Sequence, residues 1–200
     1  MLHRGKTATR AFMPTLLVGS LAIMPSNWRS TNMMNIKYME YALDQARTAL
    51  ANNNVPIGAV VVHEGCVIGC GYNRVMGGDR FGHAEMMALR MAHDAIAALR
   101  ISSRRRVELF TTLEPCMMCL GAVMQVNIGK VIYALKAPTD GATHMAGPQV
   151  VHSAQIMKFY TPPIVEKGGG ESESRQLLKK FYTEHSAHYL GKWALLLAEQ

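Results

Sequence analysis

Two short segments hold the residue types that a catalytic metal site requires. His83-Ala84-Glu85 opens one predicted helix, and Pro-Cys-Met-Met-Cys at 115–119 opens another. Cys116 and Cys119 are three residues apart, so both sulfurs lie on one helix face and can reach one ion. They stand in the first turn, where free N–H groups and the helix dipole stabilise thiolates. With His83 as the third ligand, the set predicts one zinc ion with an open fourth position, which is typical of a catalytic site.

Glu85 lies close to the predicted ligand His83 in the chain but is not needed as a ligand itself. Zinc lowers the pKa of a bound water towards about 7, and Glu85 can pass the protons of that water on, one to a ring nitrogen and one to a leaving amine. H-x-E together with P-C-x-x-C is the signature of zinc-dependent nucleobase deaminases. We therefore expect a hydrolytic deaminase that carries one Zn2+ per chain and catalyses through Glu85.

Each half of this signature has another interpretation when taken alone. A C-x-x-C pair can be a redox centre or half of a zinc ribbon, but a ribbon needs a second such pair. The remaining cysteines, Cys66 and Cys70, are four apart in an apolar strand, and we expect them to be small buried hydrophobic residues on one face. A thioredoxin-type pair should follow the first strand of its fold, whereas Cys116 lies deep in the chain.

The predicted elements alternate between helices and strands. Apolar spacing and turn residues predict helices over 36–52, 83–100, 115–126, 151–157 and 171–185, and strands over 56–63, 66–72, 107–113, 129–134 and 162–165. This order favours one sheet with helices on both faces, and strands that are reached through a helix should be parallel. Pro115 is expected in the first turn of its helix, where its missing N–H costs nothing.

Net charge argues against a protein that binds polyanions with its whole surface. The chain carries +7, but its first 39 residues hold five basic residues and no acid, so the rest contributes only two of these charges.

We expect residues 1–33 to be a disordered tail, a targeting peptide, or an extension upstream of a true start at Met33 or Met34. The deaminase domain is expected over 34–187, with a C-terminal tail over 188–200. No segment is expected to span a membrane, and the cytoplasm is the expected location unless 1–33 directs the chain to an organelle.

Several segments resemble one enzyme family closely. The resemblance covers about residues 35–185 and is carried by Val55-Pro-Ile-Gly-Ala-Val60, Asn73, His83-Ala-Glu-Met-Met-Ala-Leu-Arg90, Thr111-Thr-Leu-Glu-Pro-Cys-Met-Met-Cys-Leu-Gly-Ala122 and Ile128-Gly-Lys-Val131. These segments are similar to the cytidine deaminase-like superfamily, above all to its tRNA-specific adenosine deaminase and nucleoside deaminase branch. The resemblance implies a three-layer α/β/α sandwich with a mixed five-stranded sheet, usually in a homodimer. It also implies that Asn73 and the backbone of Ala84 bind the substrate.

Two departures from the branch concern the substrate. The approach to His83 reads Asp79-Arg-Phe-Gly82, and the loop after the fourth strand reads Lys136-Ala-Pro-Thr-Asp-Gly-Ala142, which displaces the acid expected there. The wider motif match predicts adenosine in a tRNA anticodon loop, which is converted to inosine, as the substrate. The altered loop and the balanced charge of the chain after residue 39 favour the alternative, a free base or nucleoside such as guanine or cytosine. A non-catalytic RNA-binding subunit is disfavoured because Glu85 is present.

Overall fold

A single mixed sheet forms the centre of the protein. The computed structural model describes residues 26–147 and 160–200. Within them the sheet has the order β2-β1-β3-β4-β5, and its strands are β1 (Gly58–His63), β2 (Cys66–Tyr72), β3 (Val107–Leu113), β4 (Lys130–Leu135) and β5 (Ile164–Lys167). β1 pairs antiparallel with β2 and β3, whereas β3, β4 and β5 run parallel. The prediction of parallel later strands is confirmed, because each is reached by a crossover connection.

Helices cover both faces of this sheet. They are α1 (Ser26–Ala51), α2 (Ala84–Met91), α3 (His93–Ala98), α4 (Ile101–Arg104), α5 (Met117–Gln125), α6 (Glu171–His185) and α7 (Tyr189–Ala198). Alternation along β1 assigns the faces: Val60 and Val62 pack with Tyr38 of α1, whereas Val61 belongs to the core that contains Ala88 of α2. α6 packs beside α1, and α5 packs beside α2. The fold is therefore the expected three-layer α/β/α sandwich.

Some boundaries differ from those predicted, for local reasons. The helix expected over 83–100 turns at Ala92, which ends α2 and begins α3, and this turn buries Ile96 in the core. Pro162 and Pro163 have no N–H to donate, so β5 begins at Ile164, whose N–H donates to the carbonyl of Gly129 at 2.8 Å. α1 begins at Ser26 instead of residue 36. The short helix predicted over 151–157 lies outside the described residues.

The C-terminal segment is not the tail that was predicted over 188–200. It forms α7, whose Ala194, Leu197 and Ala198 are buried in the main core. Arg175 of α6 donates hydrogen bonds to the carbonyls of Leu197 and Ala198 at 3.1 and 3.2 Å, and these bonds cap the end of the helix. The folded domain therefore continues to the end of α7.

β1 and β2 are joined by a tight hairpin, and the two cysteines of β2 do not lie as predicted. Glu64 and Gly65 both have positive φ, as a two-residue hairpin requires. Cys66, expected to be buried, is exposed because it opens the edge strand directly after this turn. A register shift opposite Val61 and Val62 also breaks the alternation between Cys66 and Cys70, so the shared face that was expected is lost.

None of the helices formed by residues 26–147 and 160–200 has the length and apolar character to cross a membrane.

Candidate active site

Two helix N-termini meet at the predicted metal site. His83 is the N-cap residue of α2, with extended backbone angles, and Cys116 is the N-cap residue of α5. Pro115 thus lies just outside its helix, not in the first turn as predicted, and its carbonyl accepts the N–H of Ala142 at 2.9 Å. Cys119 follows one turn later and is buried. Free N–H groups and the positive ends of two helix dipoles therefore surround the sulfurs.

The distances between these side chains fit a tetrahedral zinc ion. His83 Nδ1 lies 3.6 Å from Cys116 Sγ and 3.6 Å from Cys119 Sγ, and all three ligand atoms lie within 4.8 Å of one another. With Zn–N near 2.0 Å and Zn–S near 2.3 Å, tetrahedral angles separate the nitrogen from each sulfur by about 3.5 Å. The two imidazole–sulfur distances match this value, so His83, Cys116 and Cys119 can hold one ion.

The thiols are poised to supply negative charge. The interaction with Cys119, together with the hydrogen bond from His83, lowers the pKa of Cys116 to about 4. The same interaction between the two cysteines and burial raise the pKa of Cys119. A hydrogen bond to Cys116 also raises the pKa of His83. One thiolate is thus stable at neutral pH, and a bound divalent cation would stabilise the second.

Glu85 is a buried acid beside the two cysteines. It is only 4% exposed, and burial is the main cause that raises the pKa of its carboxyl group. Its Oε1 accepts a hydrogen bond from Thr111 Oγ1 at 3.3 Å, and its Oε2 accepts one from Cys119 Sγ at 3.5 Å. Two donors therefore orient the carboxyl group, and its raised pKa makes protonation easier, which suits a residue that takes up and returns a proton.

A cavity of about 470 Å³ opens above these residues. Its lining includes His83, Glu85, Cys116 and Asn73, and its volume is in the range of small-molecule sites. Asn73 is buried, and its Oδ1 accepts the N–H of Val75 at 3.1 Å, so it both forms a turn and faces the cavity. Ala84 is buried between its two neighbours that line the cavity.

Glu114 fixes the loop that borders this cavity. Its carboxylate accepts the N–H groups of Ala137 at 3.0 Å and Thr143 at 3.3 Å, as well as the Thr143 hydroxyl. Gly141 lies so close to Glu114 that a Cβ atom would collide with the carboxylate. These contacts hold the loop against Cys116 and bring the displaced acid, Asp140, to the cavity rim.

Further residues that the sequence analysis did not assign to the site also line the cavity. Among them are Arg80, Thr139, Tyr189 and Trp193. Arg80 could have been suspected because it lies in the loop directly before His83. Tyr189 and Trp193 belong to α7, and a helix that begins far along the chain gives no motif from which its position could be inferred.

Arg104–Arg106 form a basic run that could bind phosphates, but all three side chains are engaged within the fold. Arg104 donates to the carbonyl of Leu99 at 3.2 Å. Arg105 donates to three carbonyls, of Ile128, Thr161 and Pro162. Arg106 pairs with Glu64 at 2.8 Å. Within the described residues, the arginines at 104–106 therefore mainly hold neighbouring segments of the fold together.

Comparisons with known proteins identify the family. The family described as "Cytidine and deoxycytidylate deaminase zinc-binding region" matches residues 33–135. The tRNA-specific adenosine deaminase of Agrobacterium fabrum is 36% identical over 148 residues, which cover 74% of this chain and 93% of that protein. A structure from a study of A-to-I editing by tRNA:A34 deaminases is 35% identical, with TM-score 0.60, over 71% of this chain and 99% of that chain. A mutant protein solved in complex with 8-azaguanine is 26% identical, with TM-score 0.56, over 72% and 82%.

Fold, site and relatives together define a zinc-dependent hydrolase that deaminates nucleobases. The chain belongs to the cytidine deaminase-like superfamily, in its tRNA-specific adenosine deaminase branch.

Proposed function

We propose that this protein converts adenosine to inosine in a tRNA anticodon loop. The observation that carries the choice of substrate is the similarity to a tRNA-specific adenosine deaminase along 93% of that relative's length. The cavity supports it, because its volume of about 470 Å³ can hold a flipped base, and its lining includes both Glu85 and the exposed cation Arg80. Enzymes that modify a base in a folded nucleic acid take that base out of the stack and into such a pocket.

Each residue of the site has a proposed role. His83, Cys116 and Cys119 would hold the zinc ion, which would supply Lewis acidity and a water of lowered pKa at neutral pH. Glu85 takes one proton from the attacking water and delivers it to the ring nitrogen. It then moves the second proton of that water to the leaving amine, which departs as ammonia. Asn73 and the backbone of Ala84 hold the base in register with Glu85.

A free base or nucleoside remains the second candidate substrate. Two observations favour it. Arg104–Arg106 are occupied by contacts inside the fold, and Arg175 is bonded to Glu171 at 2.6 Å and to α7. A similar protein has been solved with 8-azaguanine, an analogue of a free base. Lys136, Lys179 and Lys180 are exposed and could still contact phosphates, whereas Lys158 lies outside the described residues.

Salt dependence of binding separates the two candidates. Wild-type protein and Glu85→Gln are loaded with zinc and incubated with an anticodon stem-loop that carries adenosine, with a matched stem-loop that carries guanosine, and with a panel of free bases and nucleosides. We expect inosine to form only in the adenosine stem-loop and only with the wild type. Affinity should fall with salt, with a log–log slope of roughly −0.7 per phosphate contact. Salt-insensitive turnover of a free base, with no product on RNA, would overturn the proposal.

We further propose that the enzyme is a homodimer. Met91 near the end of α2 and Met117 at the start of α5 are large apolar side chains that are more than half exposed, and both helices lie on the same face of the sheet. Large exposed apolar side chains on this face are what we expect of a surface that a second subunit covers. Light scattering of the purified protein should give twice the mass of the chain, and Met117→Asp should give the monomer mass; a monomeric wild type would contradict this.

We propose the cytoplasm as the site of action, since Cys116 and Cys119 must stay reduced to hold zinc and a reducing compartment keeps them so. A fluorescent fusion to the intact chain tests this location. Accumulation in an organelle would instead assign a targeting role to residues 1–33.

A further inference from the structure

The C-terminal helix α7 forms one wall of the catalytic cavity. Tyr189, Leu190 and Trp193 all face the space that is also lined by His83 and Glu85. The spacing of these three positions places them on one side of a helix. The segment beyond residue 188 is therefore in a position to touch whatever occupies the cavity.

This wall is held in place by contacts along the rest of the helix. Leu197 and Ala198 are buried in the main core. Arg175 bonds to the last carbonyls of α7. Gly191 passes so close to the carbonyl of His185 that any side chain there would collide with it. A helix anchored in this way presents its cavity side in one fixed orientation.

Trp193 joins the helix to the opposite rim of the cavity. Its Nε1–H donates to Thr139 Oγ1 at 3.1 Å, and the Thr139 hydroxyl donates to Asp140 Oδ1 at 2.9 Å. The loop with Thr139 and Asp140 is the one that Glu114 fixes beside Cys116. Hydrogen bonds therefore join α7 to the loop at this part of the cavity mouth, and Tyr189 is an exposed side chain beside them.

Tyr189 is 70% exposed although it borders a catalytic cavity. Its ring lies 4.7 Å from that of His188, and the N–H of Leu190 donates to His188 Nδ1 at 3.2 Å, which fixes the start of the helix. A flat ring held on a rigid helix offers a surface on which an unpaired base can stack. When the reacting base is inserted as far as Glu85, the neighbouring bases of the strand must lie at the mouth, at the level of Tyr189.

We propose that Tyr189 is a specificity-determining residue that stacks on a base next to the reacting one in an RNA strand. This inference rests on the proposed RNA substrate. The C-terminal helix α7 would then determine which bases are preferred next to the reacting one. It would also favour RNA over a free nucleoside.

The test combines variants of the protein with changes in the RNA. Tyr189→Ala, Tyr189→Phe and Tyr189→Leu are compared with Leu196→Ala, which changes an exposed residue of the same helix that does not line the cavity. Each is assayed on the adenosine stem-loop and on stem-loops whose base 5′ or 3′ to the adenosine has been replaced by an abasic nucleotide. All are surface positions, so their melting temperatures should stay near that of the wild type.

We expect Tyr189→Ala and Tyr189→Leu to raise KM for the intact stem-loop by roughly 5- to 100-fold, the effect of losing one aromatic–base stack, with kcat little changed. Tyr189→Phe and Leu196→Ala should behave as the wild type. One abasic stem-loop should raise KM of the wild type by a similar factor and have no further effect on Tyr189→Ala. Two results would overturn this inference but leave the proposed function standing. One is additive effects of the variant and the abasic site, and the other is no effect of Tyr189→Ala on an RNA that the wild type deaminates. Absence of inosine in RNA with the wild type would instead refute the proposed function.

Discussion

Two adjacent leucines of α7 test whether the C-terminal segment belongs to the folded domain. Leu197 is fully buried in the main core, whereas Leu196 is 49% exposed. Replacement of either residue by alanine removes the same atoms from the same helix and has the same effect on helix propensity. The difference between the two variants therefore reports burial alone.

The expected magnitude follows from that burial. Loss of a fully buried leucine side chain costs about 2–5 kcal/mol, because the transfer free energy is lost and a cavity remains. In a protein of this size each kcal/mol lowers the melting temperature by roughly 2–4 °C. Leu197→Ala should then melt about 4–20 °C below the wild type. Leu196→Ala should stay within about 2 °C, since exposed substitutions usually change stability by no more than ~0.5 kcal/mol.

Thermal unfolding followed by circular dichroism measures both variants. Zinc and protein concentrations must be equal in all samples, because a ligand that binds only the folded state stabilises it. Equal melting temperatures for the two variants would refute the packing of α7 and restore the prediction of a tail over 188–200. A selective loss for Leu197→Ala would establish that the wall of the cavity is part of the cooperative fold.

The remaining predictions concern the site and the N-terminus. Glu85→Gln should retain zinc and melting temperature but lose about 10²–10⁴-fold in kcat, measured as ammonia release, because an amide cannot carry the proton; near wild-type turnover would exclude Glu85 as the proton carrier. Cys119→Ser should reduce bound zinc, measured by elemental analysis, well below the one ion per chain expected of the wild type; an unchanged zinc content would remove Cys119 from the ligand set. Deletion of residues 1–32 should leave a folded, active enzyme, since within residues 33–51 of α1 the first buried side chain is Tyr38; a large fall in melting temperature or activity would make that segment structural.

Local signals account for the parts of the structure that the sequence predicts well. The bounds of β3 and α6 agree with the prediction, since an apolar run and an amphipathic run, respectively, end there at polar or glycine-rich turns. His83, Cys116 and Cys119 could be grouped because metal ligands need specific residue types at specific spacings. The hydrogen bond from Thr111 to Glu85 could not be predicted, since 26 residues separate these side chains and only the sheet brings them together.

α7 shows why one wall of the cavity escaped prediction. Gly191 in its first turn indicates a loop when only propensity is considered, since glycine costs about 1 kcal/mol in a helix. The structure requires glycine there for a different reason, which is the close approach of the His185 carbonyl. The bonds that hold the helix come from Arg175 on a neighbouring helix, and Trp193 finds its acceptor, Thr139, across the cavity. A catalytic centre built from short motifs can thus be predicted from the spacing of its residues. Residues that select the substrate depend instead on contacts between distant segments, and here those contacts place Tyr189 at the mouth of the cavity.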